Sequence, residues 1–398
     1  MQKQVLIAGG GIGGLAAALG SARAGWEVRL FERAGEFTEV GAGVQIGPNV
    51  VRRLQAWGLH RALQAVAAFP ERLCVRSAIS GAELGALRLG ATAIERYGAA
   101  YATIHRADLH GMLLDVARKS SLVHLNLNHR VERYAEQDGA VSVLLTRGDG
   151  KSIEVEGDAL IGADGLHSGI RAQLLGEAPT RASGHLAYRA VLRQDALPKK
   201  LRSSAVTVWL GPDLHVVQYP LRRGELLNVV AIRHGQPPAD LDSWNHGANA
   251  AELEAALAQA CTPLQDLIRA VPHYGHGWSL WPLLDRPPVA GPQEMARGLV
   301  ALLGDAAHPM RPYLAQGAGM AIEDAVELEQ SLALHDVEAQ LCLRRYALNR
   351  WQRNARVQQR SQRNGEIFHA SGVLRWGRDM AMGALGERLL DQPWLYGG

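Results

Sequence analysis

Cysteine is scarce in this chain. Only three occur in 398 residues, Cys74, Cys261 and Cys342, at spacings that match neither a zinc-ligand pattern nor a disulfide framework, and a reducing cytoplasmic setting is expected. Net charge is nearly absent as well: 42 Lys and Arg against 39 Asp and Glu leave +3, so no global field favours nucleic acid. A targeting or membrane segment is missing too. The nearest approach to one, residues 5–22, carries glycine at 9, 10, 11, 13, 14 and 20 and lacks a basic leading region and a small-residue cleavage site, so it reads as part of the fold. There is no internal repeat, linker or low-complexity tract.

What is present is a globular composition, 47% hydrophobic and 20% charged with 44 Gly, in a chain long enough for two or three cores and too long for a simple binding module. Val5 to Ala8 is a short apolar run that stops at glycines, Ile12 to Ala24 is rich in Leu and Ala, and Glu27 to Phe31 alternates, which together read as β-α-β. Strands are expected from Val141 to Gly162, broken by Gly148-Asp149-Gly150, and again at Leu299 to Leu303. Between them Val206 to Leu210, Leu214 to Tyr219 and Leu226 to Ile232 are short β-rich segments spaced by Gly and Pro. They read as an antiparallel sheet inserted into the first domain. Helical periodicity marks Ala250 to Ala270, Ala318 to Leu334 and the tail after Leu341. That tail carries Arg344, Arg345, Arg350, Arg353, Arg356, Arg360 and Arg363 with no acid until Glu366. A solvated helix face lying on acidic neighbours is the expected role, ahead of an anionic-lipid or nucleic-acid patch.

Gly9-x-Gly11-x-x-Gly14 stands where a strand turns into a helix, so the backbone can approach a pyrophosphate and aim helix N–H groups at it. The pattern alone carries little weight in a glycine-rich chain. Its context adds the rest: Glu32 closes the next strand 18 residues after Gly14, where a carboxylate takes both ribose hydroxyls of an adenosine and disfavours a 2′-phosphate. NAD and FAD both satisfy this fingerprint.

Two further segments separate them. Gly162-Ala163-Asp164-Gly165-Leu166-His167-Ser168-Gly169-Ile170-Arg171 and Gly304-Asp305-Ala306-Ala307-His308-Pro309, in this order after the glycine loop, resemble the paired aspartate motifs of the single-component FAD-dependent aromatic hydroxylases. The resemblance implies that Asp305 binds the ribityl chain of FAD, that Asp164 bridges FAD and the reduced nicotinamide nucleotide, and that Arg106, in His105-Arg106-Ala107-Asp108-Leu109, meets the flavin phosphate. Read physically, Asp305 closes a buried strand where its carboxylate needs hydroxyl or N–H donors. A helix beginning near Gly317 would stabilise negative charge on a reduced flavin. Asp164 before glycine also suits an ordinary turn, and His308 a structural histidine.

The resemblance runs from the first strand to Trp394-Leu395-Tyr396-Gly397. Glu39-Val40-Gly41-Ala42-Gly43-Val44-Gln45-Ile46-Gly47-Pro48 and Gln218-Tyr219-Pro220-Leu221-Arg222 place it nearest the branch acting on hydroxybenzoates, 3-hydroxybenzoate to gentisate being the expected reaction. Met310-Arg311-Pro312 with Ala315-Gln316-Gly317 is closer to the hydroxynicotinate branch, and salicylate is a further alternative. His215 and Tyr219 match a histidine and tyrosine that touch the substrate phenol; four apart on one strand, they share a face. In isolation the pair would suit core packing.

The implied fold class is α/β: a Rossmann-like FAD-binding domain (1–72, 102–180 and 286–335), an inserted antiparallel sheet for the substrate (73–101 and 181–285) and a C-terminal helical segment (336–398). Expected site residues are His215 and Tyr219 for catalysis, and Gly9, Gly11, Gly14, Glu32, Arg106, Asp164, Asp305 and Gly317 for the cofactor, with no metal. FAD is expected to be held non-covalently. NADH is expected as a transient co-substrate, since no second glycine fingerprint offers it a domain. The partners expected are a small aromatic acid and O2, with no nucleic acid and no transmembrane segment, and a homodimer is compatible with them. Rival readings are a flavin-binding regulatory protein and a two-domain NAD dehydrogenase; the second leaves Asp164 and Asp305 unexplained.

Overall fold

The computed structural model describes residues 2–38, 43–176, 180–237, 246–247 (backbone only) and 250–398. The chain forms two compact units, Met1–Val40 with Ala107–Arg181 and Asp285–Ser361, and Gly41–Arg106 with Ala182–Leu284 and Gln362–Gly398.

The first unit is built on a six-stranded sheet in the order Ala296–Arg297, Val300–Leu302, Ala159–Gly162, Gln4–Ala8, Glu27–Phe31, Val123–Asn126. All neighbours are parallel except the Ala296–Arg297 edge. Parallel strands are covered on both faces, which is why Val5, Leu6, Ile7, Leu160 and Val300 are a continuous apolar run without alternation. Helices Ile12–Arg23 and Gly317–Leu332 pack on one another in this unit. A three-stranded meander, His129–Gln137, Ala140–Arg147 and Ser152–Gly157, turns where the sequence places Gly148-Asp149-Gly150.

The second unit contains an eight-stranded sheet in the order His246–Gly247, Ser279–Asp285, Arg181–Arg193, Leu226–His234, Leu214–Leu221, Val206–Gly211, Arg72–Ser77, Glu83–Arg88. It departs from the expected all-antiparallel sheet in its interior. Val206–Gly211 pairs with Arg72–Ser77 in parallel, because the chain from 77 returns through other elements before re-entering beside that strand. One face carries Tyr188, Ala190, Trp209, Val216 and Val229 against helices Ala250–Ala256 and Thr262–Tyr274. The single helix expected at 250–270 is therefore two, the second opening with Pro263 in its first turn. The opposite face carries Val75, Val208, Leu210 and Tyr219, with Met382 from helix Gly372–Leu385.

The division of the chain differs from the one read in the sequence. Residues 41–72 and 102–106 fall in the second unit, where strand Gly43–Ile46 pairs with Ala102–His105 and Gly43 N–H donates to Asn228 Oδ1 at 3.0 Å. The tail is no separate segment either, since helix Ala339–Phe368 has residues in both units. Its arginines do meet acids, but not as a wholly solvated face. Arg350 is 5% exposed and bonds Glu323 at 2.9 Å and Asp324 at 2.8 Å, and Arg353 bonds Glu323 at 2.6 Å.

Asp324 is the centre of this buried network. Its Oδ2 accepts from His308 Nε2 at 2.5 Å and Gly304 N–H at 3.3 Å, and its Oδ1 from Arg350 Nε and from Asn354 Nδ2 at 3.0 Å. Burial alone would raise the carboxyl, but His308 and Arg350 outweigh it and hold it well below the usual carboxylate range. Among the described residues no helix is long and apolar enough to cross a membrane. Replacing Asp324 by Ala would take away one of the two carboxylate partners of the buried Arg350 guanidinium and the acceptor of His308 and Asn354, and urea unfolding should show a loss of about 3–5 kcal/mol. Since the folded carboxyl is depressed, that contribution is complete above about pH 4 and lost as the pH falls through the folded value. An Asp324→Ala midpoint equal to wild type at neutral pH would refute the network's role.

Candidate functional site

In the first unit the glycine loop, Glu32 and both aspartate motifs follow the carboxyl ends of four adjacent parallel strands, in the order Asp305, Asp164, Gly9, Glu32 across the sheet. This is where open α/β sheets bind ligands. Two glycines are dictated by contact distances. A Cβ on Gly9, at φ +103°, would lie 2.4 Å from Ala163 O, and one on Gly14 would lie 1.9 Å from Gly9 O. The loop is thereby drawn tight over the start of helix Ile12–Arg23, whose N-cap, Gly11, supplies no side-chain hydrogen bond. The first N–H groups of that helix are left for an anion. His110 Nε2 contacts Gly10 O at 2.8 Å, which holds the loop from its other side.

Glu32 sits beside this loop. Its Oε2 accepts from Gly10 N–H at 2.7 Å and its Oε1 from Ala34 N–H at 2.8 Å. The carboxylate is fixed in orientation, as a ribose-binding acid must be.

The two aspartates are used differently. Asp164 turns inward: Oδ1 accepts from Ser168 Oγ at 2.5 Å and Oδ2 from Ile170 N–H at 3.2 Å, and burial raises its pKa against the pull of these bonds. It thus braces the start of helix Gly169–Leu175, while Ser168 caps that helix through Arg171 N–H. Asp305 was expected to end a buried strand, where its carboxylate would need hydroxyl or N–H donors of the kind a polyol supplies. The structure corrects the burial: strand Val300–Leu302 ends three residues before Asp305, which lies exposed on the one-turn segment Gly304–Ala306, and no described residue donates to its carboxylate. The buried carboxylate behind this turn is Asp324, and His308 is bound to it as a structural residue. Arg171 joins the two motifs, its Nη1 donating to Ala307 O at 2.7 Å.

Helix Gly317–Leu332 begins at the expected glycine. Gln316 gives it no side-chain cap, and a Cβ on Gly317 would meet nothing within 4 Å. Pro312 opens the preceding turn Pro312–Leu314, where Arg311 is held by Asp285 at 2.6 Å.

In the second unit His215 and Tyr219 do share one face of strand Leu214–Leu221, facing Ile232 and Asn228 respectively across the ladder. Their surroundings differ. Tyr219 is 4% exposed among Leu87, Leu89, Tyr101 and Leu221, and its hydroxyl donates to Gly43 O at 2.7 Å. Burial raises the phenol well above its ordinary value, with Arg189 opposing, so it is a donor and not a phenolate. His215 is 2% exposed, its Nδ1 lies 2.8 Å from His369 Nε2, and burial with a contribution from His185 pushes it down to about 3. It is a neutral imidazole at any working pH. Residues 39–42 of the Glu39–Pro48 segment lie outside the described residues.

Two side chains on this face were not singled out in the sequence. Arg189, from strand Arg181–Arg193, lies over the Trp281 ring at 4.5 Å from its centroid. Burial lowers it to about 10, with Tyr219 raising and Arg106 lowering it, so it stays charged, and no described carboxylate pairs with it. Asn228, fully buried opposite Tyr219, spends Oδ1 on Gly43 N–H while its Nδ2 has no hydrogen-bond partner among the described residues. The available signal was the register: both residues fall on the Tyr219 face once the strands are aligned. Arg106 is the first residue of helix Arg106–Lys119 and is half-buried.

The residues present suit FAD: an uncapped helix start behind close-packed glycines, an oriented acid at the second strand, and an exposed carboxylate with no protein donor for a polyol to satisfy. Comparison with known proteins agrees. Residues 2–361 match the family model of the FAD binding domain. The chain is 38% identical to 3-hydroxybenzoate 6-hydroxylase of Polaromonas naphthalenivorans over 395 residues, 99% of this chain and 95% of that protein. It is 37% identical to 6-hydroxynicotinate 3-monooxygenase of Bordetella bronchiseptica over 371 residues, covering 91% of each. Among solved structures, Klebsiella pneumoniae HpxO complexed with FAD and uric acid superposes with a TM-score of 0.82 at 26% identity, covering 98% of this chain and 94% of that one. An α/β fold that places three flavin motifs on neighbouring strand ends, together with these relatives, leads to one assignment: the chain belongs to the FAD-binding-domain family and is an FAD-dependent aromatic monooxygenase.

Proposed function

We propose that the enzyme uses NADH and O2 to hydroxylate a phenolic aromatic acid, converting 3-hydroxybenzoate to gentisate. The observation that carries the substrate class is Arg189: a charged guanidinium with no described carboxylate partner, on the same sheet face as the neutral phenol of Tyr219 and the free amide N–H of Asn228. A cation in that state is stabilised by an anionic ligand. The relatives that act on 3-hydroxybenzoate support the ring and the position.

FAD supplies the oxygen chemistry, passing two electrons from NADH to O2 so that one oxygen atom enters the ring and the other leaves as water. The chain's own residues bind, orient and keep the ring dry. The glycine loop and its helix take the pyrophosphate, Glu32 the adenosine ribose, Asp305 the ribityl hydroxyls and Arg106 the flavin phosphate. Asp164 serves by fixing the turn beside them. Gly317 opens a helix whose N–H groups face negative charge. On the substrate side Arg189 takes the carboxylate, and Tyr219 and His215 meet the phenol. Drawing the phenol proton away raises electron density ortho and para to that oxygen, which includes the 6-position of 3-hydroxybenzoate. A neutral His215 can accept a hydrogen bond from the phenol without first losing a proton, which polarises the O–H toward the ring nitrogen.

The protein should purify yellow, with FAD released on denaturation, and Asp305→Ala should weaken FAD binding about 10- to 100-fold, the worth of charge-assisted hydrogen bonds at about 1.5–3 kcal/mol. Flavin titration with circular dichroism as the fold control checks it, and undiminished affinity would remove Asp305 from the site.

Arg189→Met should raise the KM for 3-hydroxybenzoate by tenfold or more while leaving FAD content intact. Uncharged phenol analogues supply the control: a loss of equal size for them would show that Arg189 does not bind the carboxylate.

Tyr219→Phe and His215→Ala should keep FAD but yield less hydroxylated product per NADH oxidised, with a turnover loss in the 10²–10⁴-fold range that positioned proton transfer provides. Product analysis at saturating substrate decides the matter. Full coupling in both variants would return the pair to packing roles, and hydroxynicotinate or salicylate turning over faster than 3-hydroxybenzoate would move the assignment to those substrates.

A further inference from the structure

We propose that His185, His234 and His369 form a binding site for a divalent transition-metal ion of the zinc type, adjoining His215. Each offers a ring nitrogen, and these atoms all lie within 4.8 Å of one another. The ring centroids are 4.3 Å apart for His185 and His234, 5.1 Å for His185 and His369, and 5.0 Å for His234 and His369. Three imidazoles bound at the usual metal–nitrogen distance of about 2.0–2.1 Å in tetrahedral array have centroids about 5 Å apart. The present centroid spacing is close to that requirement.

The backbone holds the three in place. His185 and His234 are directly opposite in the ladder between Arg181–Arg193 and Leu226–His234. His369 follows helix Ala339–Phe368, and Asp213 bolts it to the sheet: Asp213 N–H donates to His369 O at 3.2 Å and Asp213 O accepts from His234 N–H at 3.2 Å. His369 also has an imidazole behind it, since its Nε2 lies 2.8 Å from His215 Nδ1. Bound to a metal through Nδ1, His369 would carry its proton on Nε2 and donate it to His215, the outer hydrogen bond that orients metal-bound histidines.

The donor set selects the ion. Among the described residues it contains three borderline nitrogens and no carboxylate, and Arg378 adds positive charge close to His369. Hard cations such as Mg2+ and Ca2+, which require oxygen ligands, are excluded, while Zn2+, Co2+ and Ni2+ are suited. His369 and His185 are buried and His234 is exposed, so the ion enters from the His234 side and keeps a fourth position for water.

The experiment uses untagged, FAD-loaded enzyme freed of metal by a chelator. Zn2+ titration by calorimetry should give one ion per chain, and Co2+ should produce the visible absorption of a tetrahedral site. His234→Ala, exposed and therefore mild to the fold, and His185→Gln should each weaken Zn2+ binding at least tenfold with the flavin spectrum and circular dichroism unchanged. No saturable uptake by the wild type would overturn the proposal. So would wild-type affinity in both variants, which would place the ion elsewhere, or Mg2+ binding as tightly as Zn2+.

Discussion

The first of the two units depends on one buried carboxylate. Asp324 receives the Gly304 N–H and the His308 ring on one oxygen, and Arg350 and Asn354 on the other. It thus ties the turn that displays Asp305 to helices Gly317–Leu332 and Ala339–Phe368 together. Placing a charge in a core is costly unless every lone pair is used, and here the cost is met by four donors. The result is a division of labour between two aspartates, one buried and saturated, the other exposed and open to a ligand.

The same logic recurs in the neighbouring motif. Asp164 is occupied by Ser168 and Ile170, and Arg171 reaches across to the carbonyl of Ala307. A segment that resembles a binding motif is therefore in large part a scaffold for the turn beside it. Rigidity of this kind is what positions open carboxylates and bare helix ends to the tolerance that a cofactor site demands.

On the eight-stranded sheet, burial acts on ionisable groups in opposite senses. It keeps Tyr219 a protonated phenol, His215 a neutral ring, and Arg189 charged but depressed to about 10. Three groups of different chemistry lie on one apolar face, and the phenolic acid proposed above as substrate would complement them with its carboxylate and its hydroxyl. Further along the same face the imidazoles of His185, His234 and His369 gather with no acid in the group among the described residues.

The sequence by itself determined the β-α-β start, the glycine loop with Glu32, the helix opening at Gly317 and the shared face of His215 and Tyr219. These are local facts: a turn that only glycine allows, a period of two along a strand, and a glycine that opens a helix. It could not place Asp305 in solvent, since burial of a strand end depends on which helix lies behind it, and Asp324 lies 19 residues further on. It could not make Arg350 a buried partner of Asp324, or reveal the parallel pairing of Val206–Gly211 with Arg72–Ser77, a contact between segments far apart in the chain. Nor could it single out Arg189, Asn228 or the three histidines. Their meaning lies in cross-strand register and in where a 30-residue helix ends, and side chains from distant strands become neighbours only when hydrogen-bonded ladders fix the register.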